Sequence, residues 1–563
     1  MKKKWLSRAL AVALAGVMTA GMLAGCGKQD GSQTSVQSEA SQTDGSIQSD
    51  DATQSETQTA EVPEEVTYPV DTDVSLSFYI RYQTQLAKSA AYVDYNSVPF
   101  YAGLSEKTGI DIDWQSYADG ADVAAAYNLM LQEEELPNII FGGGCDDSAE
   151  LYADGLIYDL TEYLPTYAPD FWEYINLPEN EANKRAITNE EGQFFFIPFI
   201  RESNYNITYL GPVIRQDWLD ELSLEAPVTL EDWENVLKAF KENYGAYFSF
   251  RVLRFNNAGI AGGTGAFAAF SLKYFVEDGQ IKCANTQEEW KDFLETMHRW
   301  YEEGLLDPDF STADDTAVRS KALNGEAGIV YTAMSHLSNY IADAEKEGTG
   351  AKWVGLSYPR VEEGAPTTYI QTESQTWQPY IGARVTTSCS EEELIAAIKF
   401  LNYGFTEEGM LYWNLGEEGV SYEIAEDGSL QFTDLITSDE RGITEALRDY
   451  TGMYSAGIGI QMEDMIKAKN NETAVEAVYT WIDNTVASQY LCPPYSRTEE
   501  EQRVYNDINT QLSTYVSEMA LKFVTGDESL EDFDKFVEQL DAYGLQELLE
   551  IEQAAYDRYM LLF

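Results

Sequence analysis

The most regular pattern of apolar and polar positions lies between Tyr209 and Phe240, where a short apolar strand is followed by an amphipathic helix. The spacing of Thr229 and Asp232 is that of an N-terminal capping pair. Apolar residues then recur at intervals of three and four, which places them on one face of a helix: Trp233, Val236, Leu237 and Phe240. We therefore expect this passage to join a strand to a well-anchored helix.

The chain before this passage alternates between strand and helix patterns. Apolar, β-branched or aromatic runs predict strands at 74–80, 110–114 and 136–141, and helical patterns lie between them at 100–107 and 123–132. Strands that alternate with helices pair in parallel, with right-handed crossovers. The sequence therefore predicts an α/β fold for this part of the chain.

Four further helices begin at predicted capping pairs. These pairs are Thr286 with Glu289, Ser390 with Glu393, Thr498 with Glu501, and Ser529 with Asp532. The glycine-rich run at 259–265 lacks the Gly-Lys-Ser/Thr ending of a phosphate-binding loop, so we interpret it as an ordinary loop.

The first 25 residues have the pattern of a signal peptide. Basic residues near the start precede an apolar span from Ala9 to Ala24, which is too short to cross a membrane as a helix. The segment ends in Leu-Ala-Gly-Cys at 23–26, which looks like a lipobox. We expect cleavage before Cys26 and attachment of a lipid to its sulfur.

Residues 26–68 are expected to form a disordered tether. Between 27 and 67 there is no aromatic residue, one lysine and nine acidic residues, and the remainder is mostly small or polar. Such a segment cannot bury enough apolar surface to offset the entropy lost on ordering. A coil of this length spans roughly 35 Å, enough to hold a globular body away from a membrane.

The formal charge of −60 and the isoelectric point near 4.1 narrow the choice of partners. Nucleic acids and anionic lipid surfaces both require a basic footprint, so neither is an expected partner. Four cysteines remain besides Cys26, at 145, 283, 389 and 492, without a Cys-x-x-Cys pair. They permit three complete pairings, but we favour free thiols.

Signatures of catalysis and of metal binding are scarce. The two histidines, His298 and His336, lie far apart in sequence and form neither a serine-protease triad nor a zinc motif. We therefore expect no cofactor, no bound metal and no enzyme activity. With 96 acidic residues, a pair of carboxylates suited to glycoside hydrolysis remains open.

Several segments, in this order, resemble the extracellular solute-binding proteins of bacterial ABC importers, in the carbohydrate branch. The similar segments are Arg-Gln-Asp-Trp-Leu at 215–219, Pro-Val-Thr at 227–229, Gly-Leu-Leu-Asp-Pro at 304–308, Gly-Glu-Ala-Gly-Ile at 325–329, Thr-Glu-Glu-Gly at 406–409 and Gly-Val-Ser-Tyr at 419–422. The resemblance covers about residues 70–563. A calcium loop found in many relatives has no counterpart at 241–250, and whether a calcium ion is bound stays open.

The resemblance implies a two-lobed, type II periplasmic-binding-protein-like α/β fold with hinge crossings and a helical C-terminal part. It assigns 69–208 and 359–405 to the first lobe, and 209–358 and 406–563 to the second. The strand that begins at Tyr209 would be a hinge. The four predicted helix starts and the alternating N-terminal part agree with this organisation.

The function implied by the resemblance is capture of an extracellular oligosaccharide and delivery to an ABC permease. The protein would act as a monomer, anchored by lipid at the extracellular face of the bacterial cell membrane. Two alternatives stay open: a surface lipoprotein enzyme, such as a glycosidase or esterase, and a sensor or adhesin that feeds no transporter.

A sugar offers apolar CH faces and a rim of hydroxyls, so its site needs aromatic surfaces and planar polar groups. Candidates at predicted strand ends are Tyr82, Gln83, Arg201, Arg215, Trp218, Tyr331, His336, Trp377 and Gln378. Arg215 could instead form a local ion pair with Asp217, with Trp218 in the core. Trp377 is the strongest candidate, because its immediate neighbours are polar and no periodicity requires it to be buried.

Overall fold

Two β-sheets with helices packed on them form the framework of the fold. A computed structural model describes residues 66–81, 91–92, 94–118, 121–143, 145–189, 191–372, 376, 381–453 and 457–561. The predicted signal peptide, the lipidation site at Cys26 and nearly all of the predicted tether lie outside these ranges.

The strands are named in chain order. They are β1 (Ser75–Ile80), β2 (Asp111–Ser116), β3 (Ile139–Phe141), β4 (Ile197–Arg201), β5 (Leu210–Arg215), β6 (Tyr247–Phe250), β7 (Tyr274–Glu277), β8 (Gln280–Cys283), β9 (Ala327–Ala333), β10 (Trp353–Gly355), β11 (Gly382–Val385), β12 (Tyr422–Ile424), β13 (Leu430–Phe432) and β14 (Gly459–Gln461).

The helices of the first half are α1 (Pro99–Thr108), α2 (Val123–Met130), α3 (Cys145–Ala153), α4 (Leu164–Tyr167), α5 (Pro169–Ile175), α6 (Glu181–Ala186), α7 (Asn204–Ile207), α8 (Gln216–Leu222), α9 (Leu230–Tyr244) and α10 (Val252–Phe255). Those of the second half are α11 (Glu288–Glu302), α12 (Asp315–Leu323), α13 (Met334–Glu347), α14 (Glu391–Asn402), α15 (Glu407–Leu415), α16 (Asp434–Thr437), α17 (Ile443–Tyr450), α18 (Glu463–Lys469), α19 (Glu472–Ile482), α20 (Glu499–Thr525), α21 (Phe533–Ala542) and α22 (Leu545–Leu561). Short 3-10 turns occur as well, including one at Gly259–Thr264.

The first sheet has the strand order β14-β4-β11-β3-β1-β2. Strand β1 pairs in parallel with both β2 and β3, as the alternation of strand and helix in the sequence predicts. Strand β11 returns from much later in the chain and lies antiparallel between β3 and β4. The carboxyl ends of β1, β3 and β4 therefore lie on one edge of this sheet.

The second sheet has the order β10-β5-β9-β6. Strand β5 runs antiparallel to both of its neighbours, with Leu210 opposite Ala333 at one end and Arg215 opposite Trp353 at the other. Strands β6 and β9 are parallel, so their carboxyl ends lie beside the start of β5. This shared edge is where a ligand is expected in an open α/β sheet.

Each sheet has its own large hydrophobic core, and these cores define two lobes. The first-lobe core runs from Leu76 to Ile200 and again from Ile381 to Met465. The second-lobe core runs from Tyr205 to Ile370 and again from Ala474 to Leu548. The fold is thus a two-lobed α/β architecture, with a helical C-terminal part that belongs to the second lobe.

The chain passes from one core to the other between Ile200 and Tyr205, between Ile370 and Ile381, and between Met465 and Ala474. These limits differ from those expected from the sequence, which assigned 359–405 to the first lobe and 406–563 to the second. Tyr369 and Ile370 still pack in the second core, and residues 410–465 pack in the first. The physical reason is strand pairing, because β14 joins the first sheet in parallel with β4.

Most of the predicted helix starts are confirmed. Reciprocal capping boxes form at Thr229, Ser390 and Thr498. The start at Thr286 is wrong: α11 begins at Glu288, and the Thr286 hydroxyl donates to the carbonyl oxygen of Cys283 at 3.0 Å. Similarly, Ser529 caps a 3-10 turn that precedes α21. Local hydroxyl–backbone bonds can compete with a helix cap in this way.

The described cysteine thiols agree with the preference for free thiols. Cys283, Cys389 and Cys492 are free, and the first two are buried. Burial raises the pKa of the Cys283 thiol to about 12 and that of the Cys389 thiol to about 11, so both are protonated at neutral pH.

Within the described ranges, no helix is long and apolar enough to cross a membrane.

Candidate ligand-binding site

A pocket of about 370 Å³ opens at the edge of the second sheet where β5 begins and β6 ends. Its wall includes residues of the second lobe that flank two passages between the lobes: Tyr209 follows the first, and Tyr369, Ile370, Gln371 and Thr372 lie at the start of the second. The pocket therefore lies beside the segments that connect the lobes.

Three basic side chains are among the described residues that line this pocket. Arg251 directly follows β6, Arg254 lies three residues later in α10, and Lys273 precedes β7. The extended backbone of Arg251 ends the strand, and the short helix then places Arg254 on the same side, since residues three apart are neighbours on a helix. The residues that follow β6 thus bring two guanidinium groups to the pocket.

One carboxylate behind the pocket orients both arginines. Arg251 Nη1 donates to Asp315 Oδ2 at 2.6 Å, and Arg254 donates from Nε and Nη2 to the two carboxylate oxygens at 2.7 and 3.1 Å. Burial alone would raise the pKa of Asp315, but the hydrogen bonds and charge of Arg254 and Arg251 outweigh it and lower the pKa. Asp315 is therefore ionised at neutral pH.

His336 lies in the first turn of α13, with Nδ1 at 3.9 Å from Asp315 Oδ1. Burial lowers the pKa of His336, and the charge of Arg254 lowers it further. The imidazole is consequently neutral at pH 7 and adds no charge to the group. This predicted residue belongs to the ionic cluster that borders the pocket.

A hydrogen-bonded layer connects the pocket wall to the sheet. The Tyr358 hydroxyl donates to the Leu210 carbonyl oxygen at 2.7 Å and lies 3.3 Å from the hydroxyl of Tyr331, which is buried in β9. Because a hydroxyl has a single proton, Tyr331 is the donor of the second bond. The predicted residue Tyr331 therefore supports the lining residues from behind.

Gln371 ties the two passages together at the pocket. Its Oε1 accepts hydrogen bonds from the backbone N–H of Tyr209 at 2.9 Å and of Leu210 at 3.1 Å. The side chain is only 4% exposed, so water cannot replace these bonds in the folded protein. Gln371 thus fixes the start of the second passage to the backbone at the beginning of β5.

The pocket also exposes apolar surface. Leu253 is 65% exposed and lies between the two arginines in the chain. Tyr209 and Tyr369 add aromatic surface to the same wall. Apolar patches combined with a few converging polar groups are typical of small-molecule sites.

The structure separates the predicted residues Arg201 and Arg215. Arg201 ends β4, and its guanidinium lies 5.9 Å from the ring centre of Tyr209, next to the pocket wall. Arg215 lies at the far end of β5, roughly 17 Å from Leu210 at about 3.4 Å per residue. It forms a two-point ion pair with Asp217 at 2.8 and 2.6 Å. Trp218 is buried there, with Arg215 over its ring at 4.1 Å.

The other predicted residues, Tyr82, Gln83, Trp377 and Gln378, lie outside the described residues. Their assignment to the site stays a prediction from the sequence. The wall residues 369–372 show that the chain reaches the pocket just before this stretch.

Trp377→Ala is expected to weaken ligand binding about thirtyfold while the melting temperature of the unliganded protein stays unchanged. Truncation of an aromatic anchor in a binding site commonly costs at least ~2 kcal/mol. Isothermal titration and thermal unfolding of the same preparations check the two parts. A large loss of unliganded stability with intact affinity would place the indole in the core instead.

The first lobe carries a second basic group at its sheet edge. The buried Arg384 of β11 donates from Nε to Ser148 Oγ at 2.7 Å, and its Nη2 lies 3.2 Å from Asp147 Oδ2. Arg81, which follows β1, shares that carboxylate at 3.0 Å and lies over the Tyr127 ring at 3.7 Å. Both lobes thus present arginines where their parallel strands end.

A comparison with known families decides what kind of protein this is. The family described as bacterial extracellular solute-binding protein matches residues 86–411, which is more than half of the chain. The chain belongs to this family. Proteins of this family bind solutes for transport. The resemblance found in the sequence is therefore confirmed.

Two curated relatives from Bacillus subtilis (strain 168) match most of the chain. Lipoprotein LipO is 23% identical over 476 residues, covering 80% of this chain and 87% of LipO. The polygalacturonan/rhamnogalacturonan-binding protein YtcQ is 23% identical over 473 residues, covering 80% of this chain and 86% of YtcQ.

A solved structure supports the fold. The ABC-transporter substrate-binding protein FusA of Streptococcus pneumoniae, an EF-hand mutant in complex with fructo-nystose, superposes with a TM-score of 0.64 at 19% identity. The match covers 87% of this chain and 100% of FusA. The two-lobed architecture expected from the sequence is therefore confirmed.

Sequence reasoning missed the basic residues of the pocket. Arg251, Arg254 and Lys273 carried no motif, although one signal was present: two arginines directly after an aromatic strand, in a chain with 96 acidic and 36 basic residues. Gln371 gave no signal, because its role depends on the backbone N–H of Tyr209, 162 residues earlier in the chain.

Within the described ranges, no group of three or more His, Cys, Asp or Glu residues could hold a metal ion.

Proposed function

We propose that this solute-binding protein captures an extracellular oligosaccharide at the pocket beside the lobe-connecting segments and delivers it to an ABC permease. The observation that carries the proposal is the position of the pocket: its wall contains Tyr209 and Gln371, which lie next to two different passages between the lobes. A ligand that contacts both passages favours one arrangement of the lobes. Closure of this kind around a ligand is the behaviour of periplasmic binding proteins.

The relatives' names support the ligand class. YtcQ is named for binding polygalacturonan and rhamnogalacturonan, and FusA as a fructooligosaccharide ABC transporter substrate-binding protein. Both names specify a saccharide, but the two saccharides differ in charge. The permease is inferred from the family's role and from the transporter named for FusA.

The deciding experiment is incubation of the purified protein with a panel of oligosaccharides. We expect binding in a calorimeter, recovery of the sugar unchanged by chromatography, and a smaller radius of gyration by small-angle scattering at saturation. Cleaved products would instead support the alternative, a surface glycosidase or esterase. An unchanged radius with a ligand proven to bind would contradict lobe closure but leave binding intact.

We also propose that the protein is a monomer attached to the outer face of the cell membrane by a lipid on Cys26. The support is the Leu-Ala-Gly-Cys sequence at 23–26, the polar segment that follows it, and the name of the relative lipoprotein LipO.

Cys26→Ser is expected to release the protein into the medium or to leave its signal peptide uncut, because serine offers no thiol for the lipid. Fractionation of cells, with immunodetection after washing in salt, measures the distribution. If the variant stayed with the membrane at the wild-type level, a different attachment would be responsible.

A further inference from the structure

The described lining of the pocket differs in charge from the protein as a whole. Acidic residues outnumber basic ones by 96 to 36 over the chain, yet the twelve lining residues that the structure describes include three basic residues and no aspartate or glutamate. A lining that merely reflected the composition would be acidic. Cations concentrated in one concave site of an acidic protein attract anions to that site.

The arginines of the pocket have unused donors. Arg251 gives a single side-chain hydrogen bond, from Nη1 to Asp315, among the described residues. Arg254 uses Nε and Nη2 on the same carboxylate. A guanidinium has five N–H donors in a planar fork, so both groups retain donors for a second planar anion.

Asp315 does not cancel the positive charge of the wall. Among the described residues, one carboxylate is shared by the two cations Arg251 and Arg254, and the lowered pKa of His336 leaves the imidazole neutral. Asp315 instead fixes the orientation of the two guanidinium groups. An oriented fork loses little freedom when it binds a carboxylate in two-point fashion.

Building on the proposed function, we infer that the ligand is an acidic oligosaccharide, with uronate carboxylates bound by Arg251 and Arg254. The exposed side chain of Leu253, together with Tyr209 and Tyr369, contacts the apolar CH faces of the sugar rings. The carboxylates distinguish this ligand from a neutral sugar of the same shape. Binding of the acidic sugar weakens as salt concentration rises, because part of the interaction is between charges near solvent.

The test uses pairs of probes that differ only in charge. Short oligomers of galacturonate, of mannuronate and guluronate, and of glucuronate are each compared with their methyl esters by calorimetry on the full mature chain. A sulfated oligosaccharide of equal length is a further probe. We expect at least one uronate oligomer to bind tenfold or more tightly than its ester.

Substitutions at Arg251 test whether the preference for the uronate arises at this pocket. Arg251→Gln should weaken binding of the uronate oligomer at least tenfold and leave binding of the ester nearly unchanged. Arg251→Lys keeps the charge and should recover part of the affinity. Arg299→Gln is the matched control, because Arg299 also pairs with a carboxylate, that of Glu234 at 2.7 Å, but does not line the pocket. Circular dichroism and the melting temperature establish that each variant is folded.

Each outcome separates the two proposals. Ester and acid bound equally tightly, or an affinity insensitive to Arg251→Gln, would overturn the acidic ligand and leave oligosaccharide binding standing. Preference for the sulfated probe would overturn the carboxylate. Binding of neutral sugars alone would also overturn the acidic ligand. If no charged or neutral oligosaccharide bound, both proposals would be overturned.

Discussion

Trp481→Ala is expected to lower the free energy of unfolding by about 3–5 kcal/mol, the range for removal of a fully buried tryptophan. Trp481 lies in α19 and is 1% exposed. Its indole nitrogen donates to the Pro212 carbonyl oxygen at 2.9 Å, and a Cβ placed on Gly211 would lie 2.3 Å from its ring. The substitution therefore opens a cavity against β5 and removes a hydrogen bond to its backbone.

Urea unfolding monitored by circular dichroism measures this loss without relying on tryptophan fluorescence. Glu476→Ala is the matched control, since Glu476 is exposed on the same helix and its loss should change stability by less than about 0.5 kcal/mol. A loss below ~1 kcal/mol for Trp481→Ala would show that α19 does not complete the core of the second lobe.

Gln371→Leu is expected to cost about 2–4 kcal/mol of unfolding free energy and to weaken ligand binding. Leucine has a similar volume but no acceptor, so the backbone N–H groups of Tyr209 and Leu210 lose their partner. Each buried donor left unsatisfied costs about 1–3 kcal/mol. Urea unfolding and calorimetry with an oligosaccharide ligand measure the two effects.

Gln371→Glu tests the cause, because it keeps an acceptor oxygen at the same distance along the side chain. Two backbone N–H groups that donate to a carboxylate stabilise its charged form, which offsets part of the cost of burying it at this site. We therefore expect Gln371→Glu to be clearly more stable than Gln371→Leu. Equal losses for the two variants would mean that the shape of Gln371, and not its hydrogen bonds, holds the passages together.

Features that depend on neighbouring residues could be predicted from the sequence. The helix α9 begins at its predicted cap, Thr229, and buries its whole predicted stripe: Trp233, Val236, Leu237 and Phe240. The parallel pairing of β1 with β2 and β3 also followed from the order of elements. The cap and the apolar stripe of α9 depend on residues only a few positions apart. The parallel pairing follows from the direction in which the chain re-enters the sheet after each helix.

Features that depend on distant pairing could not be predicted. Whether residues 410–465 pack in the first or second core depends on the pairing of β14 with β4, which is about 260 residues earlier in the chain. The same limit applied to the site: Arg251 and Asp315 meet only because β6 and β9 are neighbours. Arg215 looked like a ligand residue in sequence, yet its nearest acid, two positions away, forms the ion pair.

The three passages between the lobes have a consequence for synthesis and export. The first core stays incomplete until residues near Met465 are present, and the second until residues near Leu548 are present. A nascent chain therefore acquires neither cooperative core while most of its length is still being made. Contacts of such long sequence separation form slowly, because the loop must close before they contribute. The late return of the chain to both lobes thus keeps it unfolded during the interval in which an exported polypeptide must remain threadable.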